Sequence, residues 1–140
     1  MTLEDVATPG VETAGPDTSV EVLADTMAER TVGSVVITED GAPVGIVTDR
    51  DLALATLRGD ADPATMTASD VMTPDPRTMN VNEGILELTN AMCRDEVRRM
   101  PVVDADGHVV GIVTLDDLVR LLVAELGNLA GVIEAESPPY

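Results

Sequence analysis

The feature that most constrains this chain is an internal repeat that spans most of its length. Asp5-Val6-Ala7-Thr8-Pro9 recurs as Asp70-Val71-Met72-Thr73-Pro74. Further along, Val44-Gly45-Ile46-Val47-Thr48 recurs as Val110-Gly111-Ile112-Val113-Thr114. These two segments lie one residue further apart than the first pair, so the second copy contains a single inserted residue. A match of this length does not arise by chance, so the chain consists of two copies of one unit.

Each copy is predicted to begin with a short strand, which the pattern of an amphipathic helix follows. Val20, Leu23 and Met27 recur at the spacing that places side chains on one helical stripe. The equivalent stripe of the second copy consists of Ile85, Leu88 and Met92. Met at these positions is predicted to fill the core, since the chain has no Phe or Trp.

A β-hairpin and a second helix complete each copy. The hairpin turns are predicted at residues 39–41 and 105–107, and Thr48 and Thr114 open the helices that follow. Each copy is thus a βαββα unit, which is too small to bury its apolar residues alone. The predicted fold class is α/β (α+β), with the two repeats packed through their sheets in pseudo-two-fold symmetry.

The repeat also sets the predicted domain limits. The four parts are repeat 1 (1–58), a linker (59–68), repeat 2 (69–124) and a C-terminal helix end and tail (125–140). The last helix is expected to end near Leu126, because Gly127 follows it. The tail from Ser137 to Tyr140 contains two Pro residues and is not expected to be helical.

The charge balance excludes several classes of partner. The chain has 26 acidic and eight basic residues, all of the latter Arg, for a net charge of −18. Nucleic acids and anionic membranes bind cationic surfaces, so neither is an expected partner. The 44% of hydrophobic residues also exceeds what a disordered acidic chain carries. The composition is typical of halophilic proteins, although a GC-rich genome that favours Arg and Asp codons gives the same bias.

The sequence offers no recognisable catalytic or metal site. Cys93 is the only Cys and His108 the only His, and His108 falls in a predicted turn where solvent surrounds it. No zinc-ligand set, nucleophile triad or phosphate-binding Gly-rich loop is present, so we expect neither a metal nor an enzyme. Without a signal peptide or an apolar span, the expected location is the cytoplasm.

The repeated motifs resemble those of the CBS (cystathionine-β-synthase) domain. The resemblance rests on Asp70–Pro74, Met100–Asp104 and Gly111–Leu118, and in the first copy on Gly45–Leu52. It covers about residues 2 to 123. It implies a compact pair of repeats, called a Bateman module, which commonly forms homodimers. It also implies a non-catalytic regulatory role, in which AMP, ADP, ATP or S-adenosylmethionine is sensed and a separate partner protein is regulated. A structural dimerisation module without a ligand remains the alternative.

The resemblance further implies two ligand clefts, each assembled from both repeats. The first would use Thr48, Arg50, Asp51, Thr73, Thr78, Val97, Arg98, Arg99 and Met100. The second would use Thr8, Thr13, Val32, Gly33, Ser34, Val35, Thr114 and Asp117. In each, the carboxylate can accept hydrogen bonds from a ribose diol, and the Thr hydroxyl and helix amides suit ribose or phosphate.

Two further expectations concern these clefts. Thr-x-x-Asp is also a helix-capping pattern, so Thr48 and Thr114 can serve structure, binding or both. Arg98 and Arg99 are expected beside Asp51 with Arg50, since guanidinium groups bind phosphate well. The alternative is that Arg98 and Arg99 follow a helix whose dipole favours cations. The Asp117 cleft is expected to lack cations and to stay empty or hold a ligand of little negative charge.

Overall fold

The computed structural model describes residues 1–59 and 62–139. Asp60 and Ala61 of the predicted linker, and Tyr140 of the predicted tail, lie outside the described residues. The helices are α1 (Leu3–Val6), α2 (Val20–Arg30), α3 (Asp49–Leu57), α4 (Ala68–Val71), α5 (Ile85–Asp95) and α6 (Leu115–Glu136). The strands are β1 (Thr8–Pro9), β2 (Thr13–Ala14), β3 (Ser34–Glu39), β4 (Ala42–Thr48), β5 (Thr73–Pro74), β6 (Met79–Asn80), β7 (Arg99–Val103) and β8 (Val109–Thr114).

Two four-stranded sheets form, and each contains one strand from the other repeat. Their orders are β2-β3-β4-β5 and β1-β8-β7-β6. Thr8 of the first repeat pairs antiparallel with Ile112, and Thr73 of the second pairs with Ile46. The predicted fold class is therefore confirmed, and the two halves interlock by exchanging their first strands.

The exchanged strands explain a Gly in each Gly-Ile-Val-Thr motif. A Cβ on Gly111 would lie 3.0 Å from the Thr8 carbonyl oxygen and 3.1 Å from Ala7 Cβ. A Cβ on Gly45 would collide with the Met72 side chain. Gly avoids a tight contact at these two positions, because the crossing segment approaches the strand closely there.

Each sheet packs its helices onto a separate apolar core. The first core consists of Val20, Leu23, Met27, Val35, Ile37, Val47, Leu52 and Ala68. The second consists of Leu3, Met79, Leu88, Ala91, Met92, Met100, Val102, Val113 and Leu118. Leu3 lies in the core of the second repeat, and Ala68, which begins α4, lies in the core of the first. The predicted helical stripes face these cores.

The other face of each sheet is also buried. Val36 in β3 and Pro101 in β7 point away from the two helix-packed cores, and both are fully buried. The hairpins of the two repeats also touch, since Val109 donates its N–H to the Gly41 carbonyl at 3.0 Å. The sheets therefore pack against each other, with the helices outside.

Backbone hydrogen bonds establish which residues of the two repeats are equivalent. The Gly33 carbonyl accepts the N–H of Asp49 at 3.0 Å, and the Arg98 carbonyl accepts that of Leu115 at 2.9 Å. Gly33 is therefore the counterpart of Arg98. The strand pairings of the two hairpins are equivalent as well, so the single residue that the second copy has in addition lies in the turn between β7 and β8.

The last helix is longer than the sequence predicted. α6 continues past Gly127 and ends at Glu136, immediately before Ser137. A Gly inside a helix costs about 1 kcal/mol, and α6 contains two, Gly127 and Gly131. The residues with high helix propensity near them are Ala124, Glu125, Leu126, Leu129 and Ala130. The helix ends where two Pro residues follow Ser137. No helix within the described residues has the length and apolar character needed to cross a bilayer.

Candidate functional site

A cavity of about 400 Å³ opens between the two repeats, beside the start of α6. Its size falls in the range of small-molecule sites. Repeat 1 contributes Thr8, Gly10, Val11, Glu12, Arg30, Val32, Gly33 and Ser34. Repeat 2 contributes Arg98, Arg99, Ile112, Thr114, Leu115, Asp116 and Asp117. The exchanged strand β1 brings Thr8 to this cavity, because it pairs with β8 two residues before Thr114.

Thr114 and Asp117 are held by the first turn of α6. The Thr114 N–H donates to Asp117 Oδ2 at 2.9 Å, and the Thr114 hydroxyl donates to the same oxygen at 2.7 Å. In return, the Asp117 N–H donates to Thr114 Oγ1 at 3.2 Å. Asp117 Oδ1 lies 3.8 Å from Arg120 Nη1, which is beyond hydrogen-bond distance. Arg120 is therefore an ion-pair partner of this oxygen but does not hydrogen-bond to it.

The first repeat has the same capping arrangement. The Thr48 N–H donates to Asp51 Oδ2 at 2.8 Å, and the Asp51 N–H donates to Thr48 Oγ1 at 3.2 Å. The capping reading of Thr-x-x-Asp is thus confirmed in both repeats.

The structure brings together most residues of the second predicted cleft. Those that line the cavity are Thr8, Val32, Gly33, Ser34, Thr114 and Asp117. Thr13 does not line it and pairs instead with Val36 in the sheet. Val35 is fully buried in the first core.

The residues of the first predicted cleft are more dispersed. Thr48, Arg50, Asp51, Thr73 and Thr78 do not line the 400 Å³ cavity. Thr73 nevertheless reaches strand β4 close to Thr48, by the same crossing that brings Thr8 near Thr114.

Two more residues of that cleft lie elsewhere. Met100 is fully buried in the second core, which keeps its side chain from a ligand in a surface cleft. Val97 borders a smaller hollow of about 220 Å³ between α5 and α6.

The expectation that the Asp117 cleft lacks cations is wrong. Arg98 and Arg99 line the cavity that contains Asp117, together with Arg30, whereas that cleft was expected to lack cations. The reason is local, since the Arg98 backbone is bonded to the N–H of Leu115 and Arg99 pairs with Thr114 across β7 and β8. Both Arg residues therefore lie beside the start of α6 in their own repeat.

Arg98 and Arg99 differ from most other Arg residues in having no carboxylate partner. Arg30 pairs with Glu12 at 3.6 Å, and Arg77 and Arg94 both pair with Asp95. Within residues 1–59 and 62–139, no ion pair involves Arg98 or Arg99. Arg98 and Arg99 are thus two adjacent guanidinium groups without an ion pair at a cavity that Glu12, Asp116 and Asp117 also line.

Gly33 makes room for one of these guanidinium groups. A Cβ on Gly33 would lie 2.9 Å from Arg99 Nη2 and 3.5 Å from Asp49 Oδ2. The Arg99 side chain therefore reaches from the second repeat to the backbone of the first. This contact links the two repeats at the cavity wall.

Several lining residues were missed by the sequence analysis. They are Gly10, Val11, Glu12, Arg30, Ile112 and Leu115. Gly10, Val11 and Glu12 directly follow the exchanged strand, so the Thr-Pro motif could have pointed to them. Arg30 ends α2, and no sequence signal distinguishes it from a residue that only favours the helix dipole.

A group of potential metal ligands lies in the turn between β7 and β8. The ligand atoms of Asp104, Asp106 and His108 are within 4.8 Å of one another. Asp104 Oδ1 already accepts the N–H groups of Asp106 at 2.9 Å and His108 at 3.0 Å. These contacts order the turn, which accounts for Asp104 without an ion.

Comparison with known proteins identifies the repeats. The family model of the CBS domain matches residues 3–58 and 68–124. The chain is 34% identical to the CBS domain-containing protein YhcV of Bacillus subtilis, over 83% of this chain and 81% of that one. It is 32% identical to the uncharacterized protein MK0525 of Methanopyrus kandleri over 86% of this chain, but spans only 62% of that protein.

Two similar solved structures contain adenosine compounds. The structure of CBSX2 in complex with AMP has a TM-score of 0.78 and 27% identity, covering 88% of this chain and 97% of the other. The CBS domain pair of protein MJ0100, in complex with 5-methylthioadenosine and S-adenosyl-L-methionine, has a TM-score of 0.79 and 26% identity. That match covers 89% of this chain and 98% of the other.

Proposed function

Since the chain belongs to the CBS-domain family, we propose that it is a regulatory Bateman module that binds AMP, ADP or ATP in the cavity beside Asp117. The observation that carries the proposal is the pair of unpaired guanidinium groups, Arg98 and Arg99, at a cavity of about 400 Å³. Guanidinium groups hold phosphate through bidentate hydrogen bonds. The module itself performs no reaction and signals to a partner protein.

The cavity offers a suitable group for each part of a nucleotide. Arg98 and Arg99 would hold the phosphate, and Asp117 Oδ1, which Arg120 approaches only to 3.8 Å, would accept hydrogen bonds from the ribose diol. Val11, Val32 and Ile112 supply apolar lining for the adenine ring. The AMP complex of CBSX2 supports this class of ligand.

S-adenosylmethionine is the alternative adenosine ligand. The cavity is lined by three Arg residues, Arg30, Arg98 and Arg99, and by three carboxylates, Glu12, Asp116 and Asp117, so it offers partners for both the carboxylate and the cationic sulfonium group of that compound. The MJ0100 pair binds that compound, so it belongs in the test as a competitor.

A ligand-free structural module is the second candidate. The capping bonds of Thr48 and Thr114 favour it, because they explain the Thr-x-x-Asp motif without any ligand. It does not explain why Arg98 and Arg99 lack partners in an acidic chain.

The relatives also bear on catalysis. One of them, the inosine-5'-monophosphate dehydrogenase of Thermoplasma acidophilum, is an enzyme of which this chain spans only 22%, at 33% identity. CBS pairs therefore occur inside enzymes as well as in small proteins such as YhcV. We therefore base the proposed regulatory role of this chain on its cavity and not on the activities of its relatives.

Isothermal titration calorimetry with AMP, ADP, ATP and S-adenosylmethionine tests the proposal. Asp117→Ala and Arg99→Ala should each weaken nucleotide binding by about tenfold or more, the effect of losing one charge-assisted hydrogen bond. Asp51→Ala is the matched control, since it removes the same capping bonds from α3 and should leave the affinity unchanged. If Asp51→Ala alone lost nucleotide binding, the cavity beside Asp117 would not be the nucleotide site. If the wild-type protein bound no nucleotide, the structural module would be favoured.

A further inference from the structure

Arg99 has a carboxylate neighbour in the other repeat to which it is not bonded. Arg99 Nη2 and Asp49 Oδ2 both lie within 3.5 Å of the point where a Cβ on Gly33 would stand. Gly33 and Arg99 line the cavity, whereas Asp49 does not. The Arg99 guanidinium group therefore lies at the boundary between the cavity and the first turn of α3, which begins at Asp49.

Neither of these two charged groups is neutralised by a direct contact. Asp49 Oδ1 accepts the N–H of Arg50 at 2.8 Å. Across residues 1–59 and 62–139, Asp49 Oδ2 takes part in no hydrogen bond or ion pair, and Arg99 takes part in no ion pair. Opposite charges so close together attract each other even without a hydrogen bond, because water does not fully screen them at this distance.

The fold itself does not require this pair of charges. The backbone bonds that make Gly33 the counterpart of Arg98 also make Asp49 the counterpart of Leu115. The next residue along each strand, Ser34 or Arg99, is then equivalent as well. The corresponding position on the other side of the molecule thus has Ser and Leu, and the repeat interface forms there without a charged pair.

The absence of a side chain at Gly33 gives Arg99 room to move. Gly33 does not have the positive φ that favours Gly, so its backbone conformation does not explain the residue. Arg99 Nη2 is 2.9 Å from the point where a Cβ would stand, so it occupies the space that a side chain would fill. Because an Arg side chain has several rotatable bonds, Arg99 can turn from this position either into the cavity or toward Asp49.

The helix dipole is the competing explanation of Asp49. An acidic residue in the first turn stabilises a helix in any protein. Helix α3 already has Asp51 in its first turn, where that carboxylate caps the helix. The dipole also does not explain why the Arg99 guanidinium group reaches across to the first repeat at this point.

We propose that Asp49 regulates the nucleotide site by competing with the ligand phosphate for Arg99, an inference that rests on the proposed function. When the cavity is empty, Asp49 attracts the guanidinium group toward the first repeat. A bound phosphate draws it into the cavity, because a bidentate charge-assisted hydrogen bond is stronger than the attraction to an exposed carboxylate. Binding beside α6 is thereby coupled to the start of α3 in the other repeat.

Calorimetric titration of AMP into single and double variants tests this competition. Asp49→Asn should raise the association constant of AMP about two- to fivefold, the range expected for an exposed ion pair. In an Arg99→Ala background the same substitution should have no effect, because no guanidinium group remains to be released. The matched control is Glu21→Gln, which removes one negative charge from the first turn of α2, away from the cavity lining, and should leave the affinity unchanged.

The backbone N–H of Arg50 offers a second measurement, since it donates to the Asp49 carboxylate. In ¹⁵N-resolved NMR spectra, saturating AMP should shift this amide signal in the wild-type protein and leave it in place in Arg99→Ala. A shift of the same size in both proteins would overturn the coupling through Arg99.

The calorimetric results separate this inference from the proposed function. If wild type binds AMP and Asp49→Asn binds it no more tightly, the competition is refuted and the nucleotide site stands. If Asp49→Asn raises the affinity equally with and without Arg99, the effect is one of overall charge, and the competition is refuted again. If wild type binds no nucleotide, the proposed function fails and this inference fails with it.

Discussion

Single residues in this chain serve two structural purposes at once, as the Gly of each Gly-Ile-Val-Thr motif illustrates. Gly111 belongs to strand β8, and it also leaves space for the crossing segment at Ala7 and Thr8. Gly127 is different, because a Cβ there would meet no atom within 4 Å. The two positions therefore allow opposite predictions for the same substitution.

Gly111→Ala should lower the free energy of unfolding by about 1 to 3 kcal/mol, because the new methyl group overpacks against the Thr8 backbone. Gly127→Ala should raise it by about 1 kcal/mol, through higher helix propensity. Urea denaturation followed by circular dichroism measures both. If both substitutions changed the free energy of unfolding equally, the crossing segment would not restrict the space for a side chain at Gly111.

The residues of the candidate site could be predicted from the sequence only in part. Thr114, Asp117 and Thr8 were found from their motifs, because a repeated motif marks equivalent positions. The position of Arg98 and Arg99 was not, since it depends on backbone bonds to Leu115 and Thr114. Sequence spacing alone does not reveal on which side of a shared sheet interface a long side chain lies.

The exchanged strands are the elements that make two small repeats into one fold. Helix α1 and strand β1 belong to the first repeat, yet Leu3 is fully buried in the second core and Thr8 pairs with Ile112. The order of helices and hairpins could be predicted from apolar periodicity. The length of α6 could not, because Gly often ends a helix, whereas α6 continues through Gly127.

Leu3→Ala should destabilise the protein by about 2 to 5 kcal/mol, as expected for a buried Leu whose removal leaves a cavity. The control is Met1→Ala, because Met1 is 67% exposed and its loss should change stability by less than about 0.5 kcal/mol. Chemical denaturation with two probes, one for each repeat, should give a single transition for both variants. A small effect of Leu3→Ala would indicate that the second core is stable without the exchanged segment.

The whole molecule carries a charge that is expected to make its stability depend on salt. Its net charge is −18, and no polar or charged residue within the described ranges is buried. The carboxylates therefore repel one another at the surface, and salt screens that repulsion. This is the physical basis for expecting a halophilic protein.

The melting temperature should rise by several degrees between about 0.1 M and 1 M KCl, over which the Debye length falls from about 10 to 3 Å. Differential scanning calorimetry at constant pH measures the change. Tetramethylammonium chloride at the same ionic strength is the control for specific potassium binding. A melting temperature that stays constant or falls with KCl would contradict the halophilic interpretation.

A crystal structure of the protein grown with AMP would show whether adenine nucleotide binds beside Asp117. We predict density for phosphate at the guanidinium groups of Arg98 and Arg99, and for the ribose within hydrogen-bond distance of Asp117 Oδ1. Nucleotide bound beside Asp51 instead, or an Asp117 cavity that contains only solvent at saturating AMP, would contradict the account.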